Sequence, residues 1–233
     1  MPNGIPVFSF KEEIMQYKAA IFDLDGTLID SLADLADSAN EMLTSYGYPT
    51  HDIDKYRYFV GNGSRKLIER CLPADKAADS AFVDEALAKY KECYDRNLTH
   101  KTACYAGIMD MLQTLQARNI PLGICTNKHQ SAADIIVAKL FPQDMFVSVI
   151  GDCKDLPRKP DPKKVLLIAE KMGVKPEEVA YFGDTSVDMD TAKNAGMLSV
   201  GVTWGFRPKE ELVEHGAKVL LDKPMDLFSK VEF

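Results

Sequence analysis

Asp23 and Asp25, one residue apart, stand directly before Gly26-Thr27 in the stretch Ala19-Ala20-Ile21-Phe22-Asp23-Leu24-Asp25-Gly26-Thr27. Carboxylates paired in this way can ligate a hard cation, attack an electrophile or move a proton. Gly26 permits a backbone turn that a side chain would obstruct. A hydroxyl follows a second apolar run at Cys125-Thr126-Asn127. With free backbone amides after it, such a hydroxyl can hold a phosphate oxygen. Lys159 lies in Arg158-Lys159-Pro160-Asp161-Pro162, where two prolines restrict the backbone and direct its charge inward. Arg158 is expected to face outward, as most arginines do. Asp184 and Asp188 lie four residues apart, about one helical turn, and so share a side. Asp190 points elsewhere. The set combines oxygen ligands for a metal with donors for an anion.

The elements that must position these groups are strands that stop at them. Ala19–Phe22 is short and apolar enough to be a buried central strand. In an open α/β sheet, ligands bind beyond the carboxyl ends of such strands. A helix follows, with Ser31 as N-cap, Asp34 near the positive end of its dipole and an end near Tyr46-Gly47. Residues 48 to about 100 contain no clear buried strand, and a longer helix covers Phe82 to Asn97. From Gly107 onward helices and strands alternate. Helices are expected at 108–115, 131–140, 163–172 and 187–195, and strands at 121–126, 147–151, 179–183 and 198–203. The alternation implies a Rossmann-like α/β fold, a doubly wound parallel sheet. The all-helical block inside it reads as a separate small domain, with residues 1–31 and 102–233 as the core and 32–101 as the insertion.

The 233 residues carry a net charge of −7, which argues against a nucleic-acid or anionic-membrane partner. Five cysteines, widely spaced and without a Cys-x-x-Cys pair, fit reduced thiols in a cytoplasmic protein. Cys125 reads as core filler. Residues 1–16 include Ile5, Val7, Phe8 and Phe10, too short an apolar run for a signal peptide, and are expected to pack against the rest. No stretch approaches the ~20 apolar residues of a membrane span.

In order along the chain, Asp23-x-Asp25-Gly26-Thr27, Thr126, Lys159-Pro160-x-Pro162 and Gly183-Asp184-x-x-x-Asp188 resemble the four motifs of the haloacid dehalogenase superfamily. The loop Val60-Gly61-Asn62-Gly63 and the segment Val202-Thr203-Trp204-Gly205-Phe206 are similar to its phosphoglycolate phosphatase branch. The resemblance implies a helical cap over the active site, with hinges near residues 31–34 and 102–105. It also implies Mg2+ held by Asp23, the backbone carbonyl of Asp25 and Asp184, with Asp188 orienting ligands behind them. Asp23 would be the nucleophile and Asp25 the general acid and base. Thr126, the Asn127 amide and Lys159 would hold phosphoryl oxygens. The cap loop, through Asn62, Gly63 and Arg65 or Lys66, would read a substrate carboxylate; the plainer alternative is that Asn62 or Ser64 caps the helix and Arg65 faces solvent.

These features together indicate a phosphatase acting on a small phosphorylated metabolite, as a monomer or homodimer. A pyrophosphatase, nucleotidase or sugar-phosphate phosphatase or mutase could use the same machinery. Thr27 leans away from a mutase, and an acid at position 25 leans away from dehalogenase chemistry. A phosphoacceptor receiver domain also combines Asp, Thr, Lys and magnesium. Receivers lack the Asp-x-Asp-Gly-Thr pair and the helical insertion.

Overall fold

The computed structural model describes residues 16–233. The expected packing of the N-terminal extension falls on residues 1–15 and lies outside the described residues. Four buried apolar residues form β1 (Ala19–Phe22), followed by the short β2 (Ile29–Asp30). Five helices come next: α1 (Leu32–Ser45), α2 (Ile53–Phe59), α3 (Ser64–Cys71), α4 (Ala74–Ala77) and α5 (Ser80–Asn97). The chain returns through β3 (Ala103–Cys104), which pairs antiparallel with β2 through Ile29↔Cys104 and Asp30↔Ala103. The two crossings between the helical block and the rest are therefore one two-stranded ribbon.

Alternation then follows: α6 (Ile108–Ala117), β4 (Leu122–His129), α7 (Gln130–Leu140), β5 (Ser148–Asp152), α8 (Lys163–Met172), β6 (Val179–Gly183), α9 (Ser186–Ala195), β7 (Leu198–Val202), α10 (Lys209–Glu214), β8 (Val219–Leu221) and α11 (Leu227–Lys230). The last strand and its flanking helices carry too weak a pattern to be expected from sequence. The sheet order is β5-β4-β1-β6-β7-β8, and every pair is parallel. The chain winds outward from β1 to β4 and β5, then crosses back to β6 on the other side. The carboxyl end of β1 is thus the switch point where such sheets open a crevice.

Strand periodicity separates the two faces. Ala20, Phe22, Ala180 and Phe182 pack in one apolar cluster with α6 and α7 residues such as Leu112 and Ile136. Ala19, Ile21, Val179 and Tyr181 pack in the other, with Val165 and Ile168 of α8 and Ala192 of α9. Cys125 belongs to this second cluster and is fully buried, and all five cysteines are free thiols.

Two details at the ribbon differ from expectation. Ser31 does not cap α1 with its side chain; its hydroxyl donates to Asp25 Oδ1 at 2.5 Å. The Leu32 N–H goes instead to Asp30 Oδ1. Asp34 lies in the first turn of α1, as expected, but is buried. Its oxygens accept the Lys101 N–H at 3.0 Å, the Thr102 N–H at 2.9 Å and the Thr102 hydroxyl at 2.7 Å. The first turn of α1 thereby grips the returning strand.

Candidate active site

Asp23 is the first residue beyond β1, and its N–H continues the ladder to the Phe182 carbonyl. The loop after it is tight because the Leu24 carbonyl collects the N–H groups of Thr27, Leu28 and Ile29. No backbone donor reaches the Asp25 carbonyl among the described residues. Gly26 has φ +86°, and a Cβ there would lie 2.3 Å from Asp184 Oδ2. A Cβ on Gly205 would lie 2.2 Å from the Asp184 Cβ, and one on Gly183 would lie 2.1 Å from the Asp188 Cβ. Three glycines thus leave the space that two carboxylates fill.

Asp184 is fully buried. It accepts the Phe206 N–H at 2.7 Å and a longer contact from the Thr27 hydroxyl at 3.3 Å. Asp188 is also buried, and both its oxygens are engaged. One accepts from Lys159 Nζ at 2.7 Å and Tyr181 Oη at 3.1 Å; the other accepts the Thr185 N–H and hydroxyl, capping α9. Asp190, as expected, lies apart, against His215 on the surface.

Lys159 Nζ stands between Asp188 and Asp23, 2.8 Å from Asp23 Oδ1. Asp23 Oδ1 is thus a buried oxygen that depends on an ammonium it shares with Asp188. Burial pushes the Asp23 carboxyl up to about 7; Lys159 opposes this, and Asp188 and Asp25 add to it. Burial, then the charges of Asp188 and Asp23, push Asp184 well above the usual carboxylate range. Burial disfavours the Lys159 ammonium, but Asp188 and Asp23 outweigh it and raise its pKa. Oxygens of Asp23, Asp184 and Asp188 lie within 4.8 Å of one another. Three carboxylates with one ammonium among them form an all-oxygen, electron-rich nest that fits a hard divalent cation. Asp188 has spent its lone pairs on Lys159, Tyr181 and Thr185, so it fits the supporting role.

Thr126 is buried within β4, in the stretch where the register with β5 shifts between Cys125 and His129. Its carbonyl accepts from Lys164 Nζ at 3.2 Å. Lys164 is fully buried on α8, and burial lowers its pKa. The Asn127 side chain accepts the Lys159 N–H at 2.9 Å and donates to the carbonyls of Lys159 and Gly61. It thus ties the Lys159 loop to the helical block.

Four further groups join the block to the sheet. Arg57 donates to the Gly205 carbonyl and Arg207 to the Val60 carbonyl. Lys128 Nζ meets Tyr94 Oη of α5 at 2.6 Å. Arg158 pairs in fork fashion with Asp152, and its guanidinium packs on Gly63. Between block and sheet lies a cavity of about 250 Å³, lined by Asp23, Asp25, Gly63, Thr126, Asn127 and Lys128 among others.

The cap residues expected to face a substrate divide. Gly63 lines the cavity. Asn62 Oδ1 instead accepts from Arg70. Arg65 does not line the cavity: its guanidinium is taken by Asp84, Glu69 and Ser80 on the outside of the block. Lys66 pairs with Glu69. Sequence reasoning missed Lys128 and Lys164. Lys164 had a signal, since it shares a helical face with Ile168.

A family model for haloacid dehalogenase-like hydrolases matches residues 20–202. The chain belongs to that family. Among its curated relatives in this hydrolase family, a phosphoglycolate phosphatase of Xanthomonas campestris pv. campestris is 34% identical, covering 91% of this chain and 95% of the relative. A phosphoglycolate phosphatase of Pseudomonas putida is 32% identical over 88% of this chain and 76% of its own length. Among solved structures, a haloacid dehalogenase-like hydrolase of Streptococcus pneumoniae superposes with TM-score 0.81 at 26% identity, covering 91% of this chain and 97% of that one. A crystal structure from Lactobacillus delbrueckii subsp. bulgaricus gives 0.85 at 29%, with 91% and 97% coverage.

Proposed function

We propose that this hydrolase is a magnesium-dependent phosphatase for a small phosphate monoester of the phosphoglycolate kind, working through a phosphorylated Asp23. The observation that carries this reading is Asp23 Oδ1, a buried carboxylate oxygen at the mouth of β1 whose one partner, Lys159 Nζ at 2.8 Å, is shared with Asp188. Such an atom is costly to hold unless a ligand completes it. Magnesium, held by Asp23, Asp184 and the Asp25 carbonyl, would neutralise charge on the phosphoryl oxygens.

The chain's own residues supply the remainder. Asp23 attacks phosphorus in line and the ester oxygen departs. Asp25 is held by Ser31 on one oxygen, and it protonates the departing oxygen and later takes a proton from water. Lys159, aligned by Asp188, and Thr126 with the Asn127 N–H hold the phosphoryl group as its charge shifts. Residues 32–101 act as the cap, and their contacts with Asn127 and Lys128 exclude water from the cavity. The five free thiols fit a cytoplasmic enzyme.

A screen of small phosphorylated metabolites with magnesium tests the reading. Phosphoglycolate should stand among the best substrates, and Asp23→Asn should release no phosphate. Wild-type-like turnover by Asp23→Asn would overturn it.

A further inference from the structure

Three basic side chains line the cavity, those of Lys91, Lys128 and His129. Lys91 and His129 are exposed; Lys128 alone is buried, at 8% accessibility. It sits where β4 runs on past Thr126, so the core and not the cap presents it. Its ammonium is 3.0 Å from Asp25 Oδ1 and 2.6 Å from the Tyr94 hydroxyl, and lies 4.9 Å from the Tyr94 ring centre. No other acidic side chain approaches it within 4.0 Å among the described residues. Asp25 Oδ1 is already held by Ser31. Lys128 is therefore a buried cation whose single carboxylate partner is shared with another donor, and it faces a cavity large enough for a small ligand.

From this geometry we propose that Lys128 is the residue that reads the substrate's second anionic group, a carboxylate on the carbon next to the ester oxygen. The substrate class is then the phosphate ester of a 2-hydroxy acid. Asp25 must touch the ester oxygen to protonate it. A cation beside Asp25 is within reach of a carboxylate one carbon from that oxygen, and out of reach of one at the far end of a long alcohol. Tyr94, brought by the cap, fixes the ammonium's direction and shields the pair from water, where a charged hydrogen bond gains strength. The proposal rests on the phosphatase reading and narrows it, replacing Arg65 by Lys128 as the carboxylate reader.

The test compares wild type, Lys128→Met and Lys128→Arg on phosphoglycolate, ethyl phosphate and p-nitrophenyl phosphate, and measures competitive inhibition by glycolate with the last as substrate. Lys128→Met should cut the phosphoglycolate to p-nitrophenyl phosphate ratio of kcat/KM by roughly 10–100-fold, the loss of one charged hydrogen bond. It should also abolish inhibition by glycolate, and Lys128→Arg should retain part of both. Equal losses on every substrate, with glycolate inhibition intact, would make Lys128 a support for Asp25 only and overturn the proposal. So would a wild type that prefers ethyl phosphate to phosphoglycolate. A wild type inactive on all three esters would instead remove the phosphatase reading.

Discussion

Asp34→Asn tests the clamp at the ribbon. The carboxylate accepts from three donors, and Thr102 is buried. An asparagine of the same shape offers one oxygen. Placed on Thr102, that oxygen keeps two bonds but loses their charge assistance, a change of about 1 kcal/mol each. Its NH2 then faces the Lys101 N–H, donor against donor, at a cost of about 1–3 kcal/mol. Lys101 is exposed enough for water to recover part of this. The sum is about 2–4 kcal/mol, or a fall in Tm of roughly 5–15 °C for a chain of this size. Urea denaturation of wild type and variant measures it, provided the m-values agree. Asp37→Asn is the control. Asp37 meets Lys101 Nζ at 2.6 Å with half its side chain in solvent, and such a surface pair is worth under about 1 kcal/mol. Asp34→Asn losing no more than Asp37→Asn would refute the clamp.

Three other perturbations follow from the site. The metal-free protein should lose stability as pH rises from about 4 towards 7, because Asp23 binds its proton up to about 7 when folded but releases it near 4 when unfolded; thermal melts across this range should flatten in Asp23→Asn, and identical slopes would contradict the shift. Gly205→Ala should abolish activity, since its Cβ would lie 2.4 Å from the Gly26 carbonyl and 2.2 Å from the Asp184 Cβ; a fully active, equally stable variant would show that the loop yields. Lys164→Met should leave the Thr126 carbonyl without its ammonium and weaken inhibition by inorganic phosphate, while thermal stability holds or rises because a buried charge is removed; unchanged phosphate inhibition would deny Lys164 any part in shaping the anion site.

The parts of the site that were legible in the sequence are those set by a strand's end. Asp23, Thr126 and Asp184 each follow an apolar run, and period-two burial makes such runs visible. Lys159 was legible because prolines flank it. What stayed hidden depends on depth that a local pattern does not record. Lys128 follows Thr126-Asn127 in a polar stretch, and its burial depends on β4 running on past Thr126 under the helical block. Arg65 failed in the opposite way: it stands in a loop expected to read a carboxylate, but Glu69 one turn along α3 and Asp84 on α5 claim its charge. Asp34 reads as a helix-start carboxylate, and its real partners lie 67 and 68 residues on. The segments from α10 to α11 are too short for periodicity to separate from turns.

Asn127 carries a consequence for the order of events. Of its three side-chain hydrogen bonds, two go to the backbone of Lys159 and one to Gly61. Lifting the helical block breaks only the last. The pocket for the phosphoryl group therefore survives intact when the lid is away, whereas the Lys128–Tyr94 contact does not. On the proposed mechanism, a ligand's phosphate would dock first, on a preassembled anvil, and its remaining half would be inspected second, when the lid descends. Any phosphorylated compound would then gain admission, and selection among them would fall to the closing step.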